Sequence, residues 1–282
     1  MNKTDLHLHT TASDGSDTPS ELIELARRCG MDVISITDHD TIAGLGEALA
    51  VPQTDVKIIT GIEFSCRHFA QGGFDCHILG SGFDPNSEHI LGAIRHGREM
   101  RHFKLGERIK YLKEKFGIEF DTSELEWLYS LNSAARPHLA RLIIKRGLAD
   151  SVADAIDKYL KGGGFPDDRI DAQEAISAII RAGGVAVYAH PIGGEREERL
   201  SHDELLPRVK TLAAMGLGGL ECYYSRYSKA DEDMLVSMAE ELGLLISGGS
   251  DYHGRNKTVR FGALCDGNER EDINITVLDK LL

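Results

Sequence analysis

The sequence has few cysteines and no long apolar run, and each shortage excludes a class of protein. The cysteines are odd in number, five in 282 residues, and form no C-x-x-C pair. They are Cys29, Cys66, Cys76, Cys222 and Cys265. This scatter argues against a disulfide framework and against a zinc site built from cysteines. No run reaches the ~18 apolar residues of a membrane-spanning helix, and the first residues show no apolar signal segment. We therefore expect a soluble, cytoplasmic protein.

Positively charged residues are fewer than negatively charged ones. The chain has 32 Lys and Arg residues against 45 Asp and Glu, which leaves a net charge of −13 at pH 7 with neutral histidines. Such a charge opposes attraction to polyphosphate backbones and to anionic membranes. We therefore expect neither a membrane nor duplex nucleic acid as a partner. Proline is sparse too, with 7 residues against 30 glycines, which favours many tight junctions between strands and helices.

Seven short runs of β-forming residues alternate with helical runs over much of the chain. This pattern is typical of a parallel sheet with helical crossovers, so the predicted fold class is α/β. The predicted strands lie at 4–9, 32–37, 56–62, 76–82, 185–189, 219–223 and 244–247. One helix start is recognisable at Thr18-Pro19-Ser20-Glu21, which combines a capping hydroxyl, a proline at the first helical position and a glutamate three residues after the cap. Gly30 is expected to end that helix.

The alternation stops between residues 97 and 170, where only helical runs remain. We therefore predict one α/β barrel unit formed by 1–96 and 171–282, with a helical insertion at 97–170. Insertions of this kind either pack as plain structure or form a lid that shapes access to a site. The sequence leaves both interpretations open.

Imidazole and carboxylate side chains recur at the ends of the predicted strands and in the loops that follow them. Nine residues share this placement: His7, His9, Asp14, His39, Glu63, His77, His190, Asp251 and His253. Because the carboxyl ends of barrel strands meet at one rim, we expect these side chains to converge. Nitrogen and oxygen ligands without a thiolate suit Mn, Zn or Fe. Nine ligands exceed the needs of one ion, so we predict two or three divalent metal ions.

Five stretches of the chain resemble, in order, the motifs of the PHP (polymerase and histidinol phosphatase) family. They are DLHLHTTASDG (5–15), ITDHD (36–40), GIEFS (61–65), AHP (189–191) and GSDYHG (249–254). The resemblance is greatest to the stand-alone metal-dependent phosphoesterases of that family. It implies a distorted seven-stranded (β/α) barrel of the PHP type, with an inserted helical subdomain and two or three bound metals.

The resemblance also implies a role for each of the nine residues. One ion would be surrounded by four of them, His7, His9, Glu63 and Asp251. Glu63 would bridge to a second ion, held also by His77 and His190. A third ion would be held by Asp14, His39 and His253. With Glu63 and Asp251 as catalytic residues, the implied reaction is hydrolysis of a phosphate ester by metal-bound hydroxide that attacks phosphorus in line.

Three further residues are candidates for contact with the substrate. In Arg136-Pro137-His138, the guanidinium could hold a phosphate with two hydrogen bonds, and His138 could bind phosphate or protonate the leaving oxygen. The alternative is a surface ion pair beside a core histidine. Arg255, just after His253, is another phosphate-binding candidate.

The predicted function is a metal-dependent phosphatase or phosphodiesterase of small phosphate esters. Its partner would be a phosphorylated metabolite or nucleotide: a nucleotide, a bisphosphorylated nucleotide, a cyclic phosphate or a sugar phosphate. Alternatives are an exonuclease that trims the 5′ end of short RNA, an amidohydrolase-type metal hydrolase, and a non-catalytic module. An amidohydrolase of this kind would need a bridging carboxylated lysine at the fourth strand, and none is present there. The sequence does not determine the oligomeric state.

Overall fold

The computed structural model describes residues 3–53, 55–70, 72–131, 134, 136–165, 167, 169–195, 198–264 and 273–282. The chain divides into two compact units. The barrel unit comprises Met1–Ile94 and Ile170–Leu282, and the insertion unit comprises Arg95–Arg169. Within the described residues, every helix is too short or too polar to cross a membrane. The thiols of Cys29, Cys66, Cys76 and Cys222 are free, and Cys265 lies outside the described residues.

The described part of the chain contains eight strands. They are β1 (Thr4–Leu8), β2 (Val33–Ile36), β3 (Lys57–His68), β4 (Phe74–Ser81), β5 (Ile170–Asp171), β6 (Val185–Tyr188), β7 (Gly219–Tyr224) and β8 (Leu245–Gly249). Seven follow one another in the order β1-β2-β3-β4-β6-β7-β8, and β5 pairs with β3. The segment after β8 returns to β1, where the Asp251 amide donates to the His7 carbonyl at 2.9 Å. The barrel is therefore nearly closed, which confirms the predicted seven-stranded α/β barrel.

Helices connect most of these strands. In chain order they are α1 (Pro19–Arg28), α2 (Leu45–Ala50), α3 (Glu88–Phe116), α4 (Thr122–Ser130), α5 (Arg136–Lys145), α6 (Val152–Ala155), α7 (Ala172–Arg181), α8 (His202–Ala214), α9 (Lys229–Leu242) and α10 (Leu278–Leu281). The predicted start of α1 is confirmed, because Thr18 Oγ1 accepts from the Glu21 amide at 3.2 Å and the Glu21 carboxylate accepts from the Thr18 amide at 2.8 Å. Gly30 follows with a φ of 66°, as a helix stop requires.

The prediction of a wholly parallel sheet is wrong for β4. This strand is antiparallel to both β3 and β6. Only residues 69–73 separate β3 from β4, whereas a parallel connection needs a dozen or more residues. The hairpin also lengthens β3, so that Glu63 lies inside the strand and not at its end. His77 likewise lies in the middle of β4, opposite Ser65.

Strand β1 shows how the core and the polar cluster share one element. Leu6 and Leu8 are fully buried and alternate with Asp5 and His7, which are fully buried as well. Successive side chains of a strand point to opposite faces, so one face of β1 is apolar and the other is polar. Burial of each leucine contributes about 1.5–3 kcal/mol. Burial of the two leucines holds β1 in place, and the polar face of the strand carries Asp5 and His7.

The insertion unit has a hydrophobic core of its own. Buried side chains from its helices form this core, including Leu105, Leu112, Leu128, Leu139 and Ile143. Helix α4 begins at a capping box in which Asp121 Oδ1 accepts from the Glu124 amide at 2.9 Å. Within the segment predicted to be helical, α6 is followed by a π-helix over Ile156–Leu160.

Candidate metal centre

Glu63 lies at the centre of the histidine cluster, and its two carboxylate oxygens face different histidines. Oε1 lies 2.7 Å from His77 Nδ1 and 3.1 Å from His190 Nε2. Oε2 lies 3.1–3.2 Å from three further histidine nitrogens, on His7, His9 and His39. The Glu63 side chain is fully buried. A carboxylate placed between two sets of imidazoles has the geometry needed to bridge two cations.

A buried glutamate that the sequence analysis missed orients His7. Glu221 lies in β7, and its Oε1 is 2.9 Å from His7 Nδ1. Its other oxygen accepts from the His190 amide at 2.6 Å. Pairing of one ring nitrogen leaves His7 Nε2 to face the cluster, as is usual for histidines that bind metals. A glutamate inside the apolar strand GLECYY is the signal that could have identified it, because buried carboxylates need partners.

Asp251, just after β8, also uses its two oxygens differently. Oδ2 accepts hydrogen bonds from Tyr224 Oη at 2.9 Å and from Lys257 Nζ at 2.8 Å. Oδ1 faces the cluster, 3.4 Å from His9 Nε2 and 3.3 Å from His253 Nδ1. Neither Tyr224 nor Lys257 was assigned to the site from the sequence. Together they fix the carboxylate so that Oδ1 remains directed at the histidines.

Three of the residues at this edge of the barrel have left-handed backbones although none is a glycine. They are Asp40 with a φ of 53°, His190 with 29° and Asp251 with 60°. Such conformations cost free energy and persist where the surrounding structure enforces them, often at functional sites. At Asp40 the enforcing contact includes its Oδ1, which accepts from the Ser65 amide at 2.9 Å.

Asp14 belongs to a second, more open part of the cluster. Its Oδ1 lies 3.2 Å from His253 Nε2 and 3.8 Å from His9 Nδ1, and its Oδ2 lies 3.9 Å from His39 Nε2. The Asp14 side chain is 50% exposed, whereas Glu63 is inaccessible to solvent. Two of these three contacts are longer than any of those between Glu63 and its histidines.

Several buried donor and acceptor atoms of the cluster make no hydrogen bond within the described residues. They are His7 Nε2, both ring nitrogens of His9, His39 Nδ1, Glu63 Oε2 and His253 Nε2. Buried polar atoms are nearly always paired, so unpaired atoms around one point indicate a ligand. Three groups have ligand atoms close enough for a metal ion: His9 with Asp14, His39 and His253; His7 with His9 and Glu63; and His39 with Glu63 and His77. The donor set is nitrogen and oxygen and fits divalent transition metals.

Protonation of the cluster reflects competition between burial and charge. Burial opposes a charge on His9, but the Asp251, Glu63 and Asp14 carboxylates outweigh it and raise the pKa of His9 to about 9. Burial lowers the pKa of His39 to about 3, against the attraction of Glu63 and Asp14. In the absence of a cation, some of these histidines therefore carry protons that balance the carboxylates.

A cavity of about 80 Å³ opens beside these side chains. It is lined by His39, Glu63, His77, His190, Gly194, Glu195, Asp251 and Lys257. The structure does not place Arg255 in this lining, and its side chain is exposed. Arg136 and His138 lie in the insertion unit at the start of α5. Arg136 is exposed, and the His138 ring packs edge-on to Trp127 with 6.0 Å between centroids.

Comparison with known proteins connects this geometry to a family. A model of the PHP domain matches residues 5–164. A phosphoribosyl 1,2-cyclic phosphate 1,2-diphosphodiesterase of Eggerthella lenta is 32% identical over 89% of this chain and 94% of its own. A 5′-3′ exoribonuclease of Haemophilus influenzae is also 32% identical, over 89% and 90%. A 3′,5′-nucleoside bisphosphate phosphatase of Chromobacterium violaceum is 32% identical over 90% and 88%.

Two solved structures are similar over most of their length. One, from Bifidobacterium adolescentis and proposed to be a metal-dependent phosphoesterase, has a TM-score of 0.75 at 28% identity and covers 93% of this chain and 92% of that one. The other, an amidohydrolase of Chromobacterium violaceum with bound sulfate, has a TM-score of 0.74 at 28% identity and covers 90% and 88%. The matches to a phosphodiesterase, a bisphosphate phosphatase and a metal-dependent phosphoesterase confirm the prediction of a hydrolase that acts on phosphoric esters. The chain belongs to the PHP domain family.

Proposed function

We propose that this protein hydrolyses small phosphorylated nucleosides or ribose phosphates at a centre of two or three divalent ions, of which Mn, Zn and Fe are candidates. The observation that carries the proposal is the division of the Glu63 carboxylate, whose Oε1 faces His77 and His190 while Oε2 faces a separate set of histidines. When bound, such ions supply Lewis acidity and a water of lowered pKa. Residues of this chain would hold these ions, and the hydrogen-bond partners of those residues would orient them.

Each proposed ligand has a structural reason for its position. His7 lies in β1 and is oriented by Glu221, and His9 comes directly after the strand. Glu63 and His77 come from the two strands of the β3–β4 hairpin. Five further ligands complete the set: His39, His190, Asp251, His253 and Asp14. Asp14 is the most exposed ligand, so the ion that it would hold with His39 and His253 should be the weakest.

Charge distribution supports an anionic substrate. Residues 95–169 contain 15 Lys and Arg against 12 Asp and Glu, although the whole chain has a net charge of −13. The insertion unit is thus net positive on a strongly acidic protein. We propose that Arg136 holds a substrate phosphate with its planar guanidinium and that His138 protonates the leaving oxygen. Arg255, outside the cavity lining, is a less favoured phosphate contact.

The names of the relatives indicate which phosphate esters to test as substrates. The three named above act, by their names, on a phosphoribosyl cyclic phosphate, a nucleoside bisphosphate and RNA. An amidohydrolase-type bridge is not supported, because β4 contains no lysine and Glu63 occupies the position between the histidines.

A phosphate-release screen with Mn-loaded protein tests the proposal. We expect turnover of at least one nucleoside bisphosphate, cyclic ribose phosphate or sugar phosphate. Cleavage of 5′-phosphorylated short RNA, measured as release of mononucleotides because this reaction frees no inorganic phosphate, should be slower. Preferred cleavage of the RNA would favour the exonuclease instead. Turnover confined to an ester and lactam panel would contradict the proposal and favour an amidohydrolase.

Metal binding is expected to release protons below pH 9. The pKa of His9 in the metal-free protein is about 9, so His9 carries a proton at pH 7.5 that a cation must displace. Affinity for Mn²⁺ should therefore rise as the pH increases towards 9, and proton release from His9 should cease above it. Calorimetric titration in buffers of different ionisation enthalpy, at pH 7.5 and 9.5, measures this release. Equal heats in all buffers at pH 7.5 would contradict it.

A further inference from the structure

Lys257 brings a fixed positive charge to the wall of the cavity. It follows the short 3₁₀ helix Gly254–Asn256, and its side chain is 21% exposed. Among the described residues that line the cavity, it is the single lysine or arginine. Three carboxylates line the same space, on Glu63, Glu195 and Asp251. An anionic substrate that enters this cavity would meet an acidic wall with one ammonium in it.

The ammonium can contact a substrate while it remains paired. An ammonium has three N–H donors, and the hydrogen bond from Lys257 Nζ to Asp251 Oδ2, 2.8 Å long, uses one of them. The remaining donors can reach a phosphate oxygen in the cavity. Lysine is a common phosphate ligand in proteins because it presents a compact point charge.

The hydrogen bond to Asp251 does not by itself explain why a lysine occupies position 257. Tyr224 already donates to the same Asp251 oxygen at 2.9 Å, from a fully buried position in β7. Tyr224 does not line the cavity. Tyr224 and Lys257 therefore donate to the same oxygen of Asp251. Of these two residues, only Lys257 lines the cavity where a substrate would bind.

We propose that Lys257 binds a non-bridging oxygen of the substrate phosphate and is a catalytic residue of this enzyme. The inference rests on the proposed function, since it assigns a partner for the phosphate at that centre. It also differs from the sequence analysis, which named Arg255 as a phosphate-binding candidate and did not name Lys257, two positions later in the cavity lining.

Binding of inorganic phosphate to the metal-loaded protein tests this assignment. Lys257→Met should weaken the phosphate Kd by about tenfold or more, the typical effect of losing one charge-assisted hydrogen bond. Lys257→Arg should retain more affinity than Lys257→Met, because it keeps the charge. Isothermal calorimetry gives the Kd, elemental analysis gives the metal content of each sample, and a thermal melt shows that each variant is folded.

Two control variants separate phosphate binding from support of Asp251. Tyr224→Phe removes a hydrogen bond from the same oxygen but leaves the cavity charge, so it should weaken phosphate binding less than Lys257→Met does at equal metal content. Lys280→Met removes an exposed lysine outside the cavity lining and should change the Kd by less than about twofold.

The possible failures are distinguishable. An unchanged phosphate Kd in Lys257→Met, or equal weakening in Tyr224→Phe, would overturn the assignment and leave Lys257 as a positioning residue for Asp251. Either result is compatible with hydrolysis of phosphate esters by the wild type. Absence of that hydrolysis would instead contradict the proposed function.

Discussion

Replacement of Glu63 with glutamine is expected to reduce phosphate-ester hydrolysis by at least about 100-fold, because loss of a group that merely supports a metal ligand already costs 10- to 100-fold. Glutamine has nearly the same shape but no charge, and its amide group would direct N–H donors at histidine nitrogens. Both oxygens of Glu63 face histidines at 2.7–3.2 Å, so two proposed ions lose a ligand at once. Initial rates and elemental analysis of purified protein measure the effect, with metal content expected to fall below two ions per chain.

Asp14→Ala is the matched comparison for Glu63→Gln. Asp14 is half exposed and contacts the more open group with His253, so its loss should remove one ion and cost less activity. The fold of both variants should remain intact by circular dichroism. Activity of Glu63→Gln within about tenfold of wild type would contradict its role as a bridge. Equal losses in the two variants would mean that the third ion is as necessary as the others.

A second large effect is expected from His138→Ala, and its size should depend on the leaving group. If His138 donates a proton to the leaving oxygen, kcat for alkyl phosphate esters should fall by about 100-fold or more. The loss should be much smaller for p-nitrophenyl phosphate, because nitrophenolate leaves without a proton. Steady-state kinetics on the two substrate classes measure the contrast.

His102→Ala is the control for that variant. His102 lies in the same insertion unit and packs edge-on to Tyr129 with 5.4 Å between centroids, much as His138 packs on Trp127. It belongs to no predicted site, so its loss should affect both substrate classes equally and modestly. If His138→Ala loses the same amount of kcat on alkyl and nitrophenyl substrates, His138 is not the proton donor. Its role would then be phosphate binding or packing.

Much of the candidate site could be predicted from the sequence because its residues lie next to recognisable strands. His7 lies in the first strand and His9 directly after it, and Asp251 and His253 lie in the segment that follows the last strand. The cluster includes all nine predicted side chains, with Asp14 at its exposed edge. The positions of Glu63 and His77 within the sheet were predicted incorrectly, because both residues lie inside an antiparallel hairpin and not at the ends of parallel strands. The five residues between β3 and β4 were the available signal, because they are too few for a parallel crossover.

The residues that orient the cluster could not be predicted in the same way. Glu221 contacts His7 across 214 residues of sequence, and Tyr224 contacts Asp251 across 27. Such partners depend on which strands become neighbours and on their register, and neither is encoded in local spacing. Arg255 and Lys257 show the same limit, since both are cations near a motif and only one lines the cavity.

The sequence by itself determined the α/β class, the approximate positions of the seven barrel strands along the chain and the nitrogen and oxygen donors of the cluster. Those features follow from hydrophobic periodicity and from residue types, which act over a few neighbouring positions. Tertiary structure alone decided the direction of β4, the division of the Glu63 oxygens between two sets of histidines, and the presence of Lys257, and not Arg255, in the cavity lining. Each of these depends on ångström-scale distances between distant segments, which arise only when the barrel closes and its core packs.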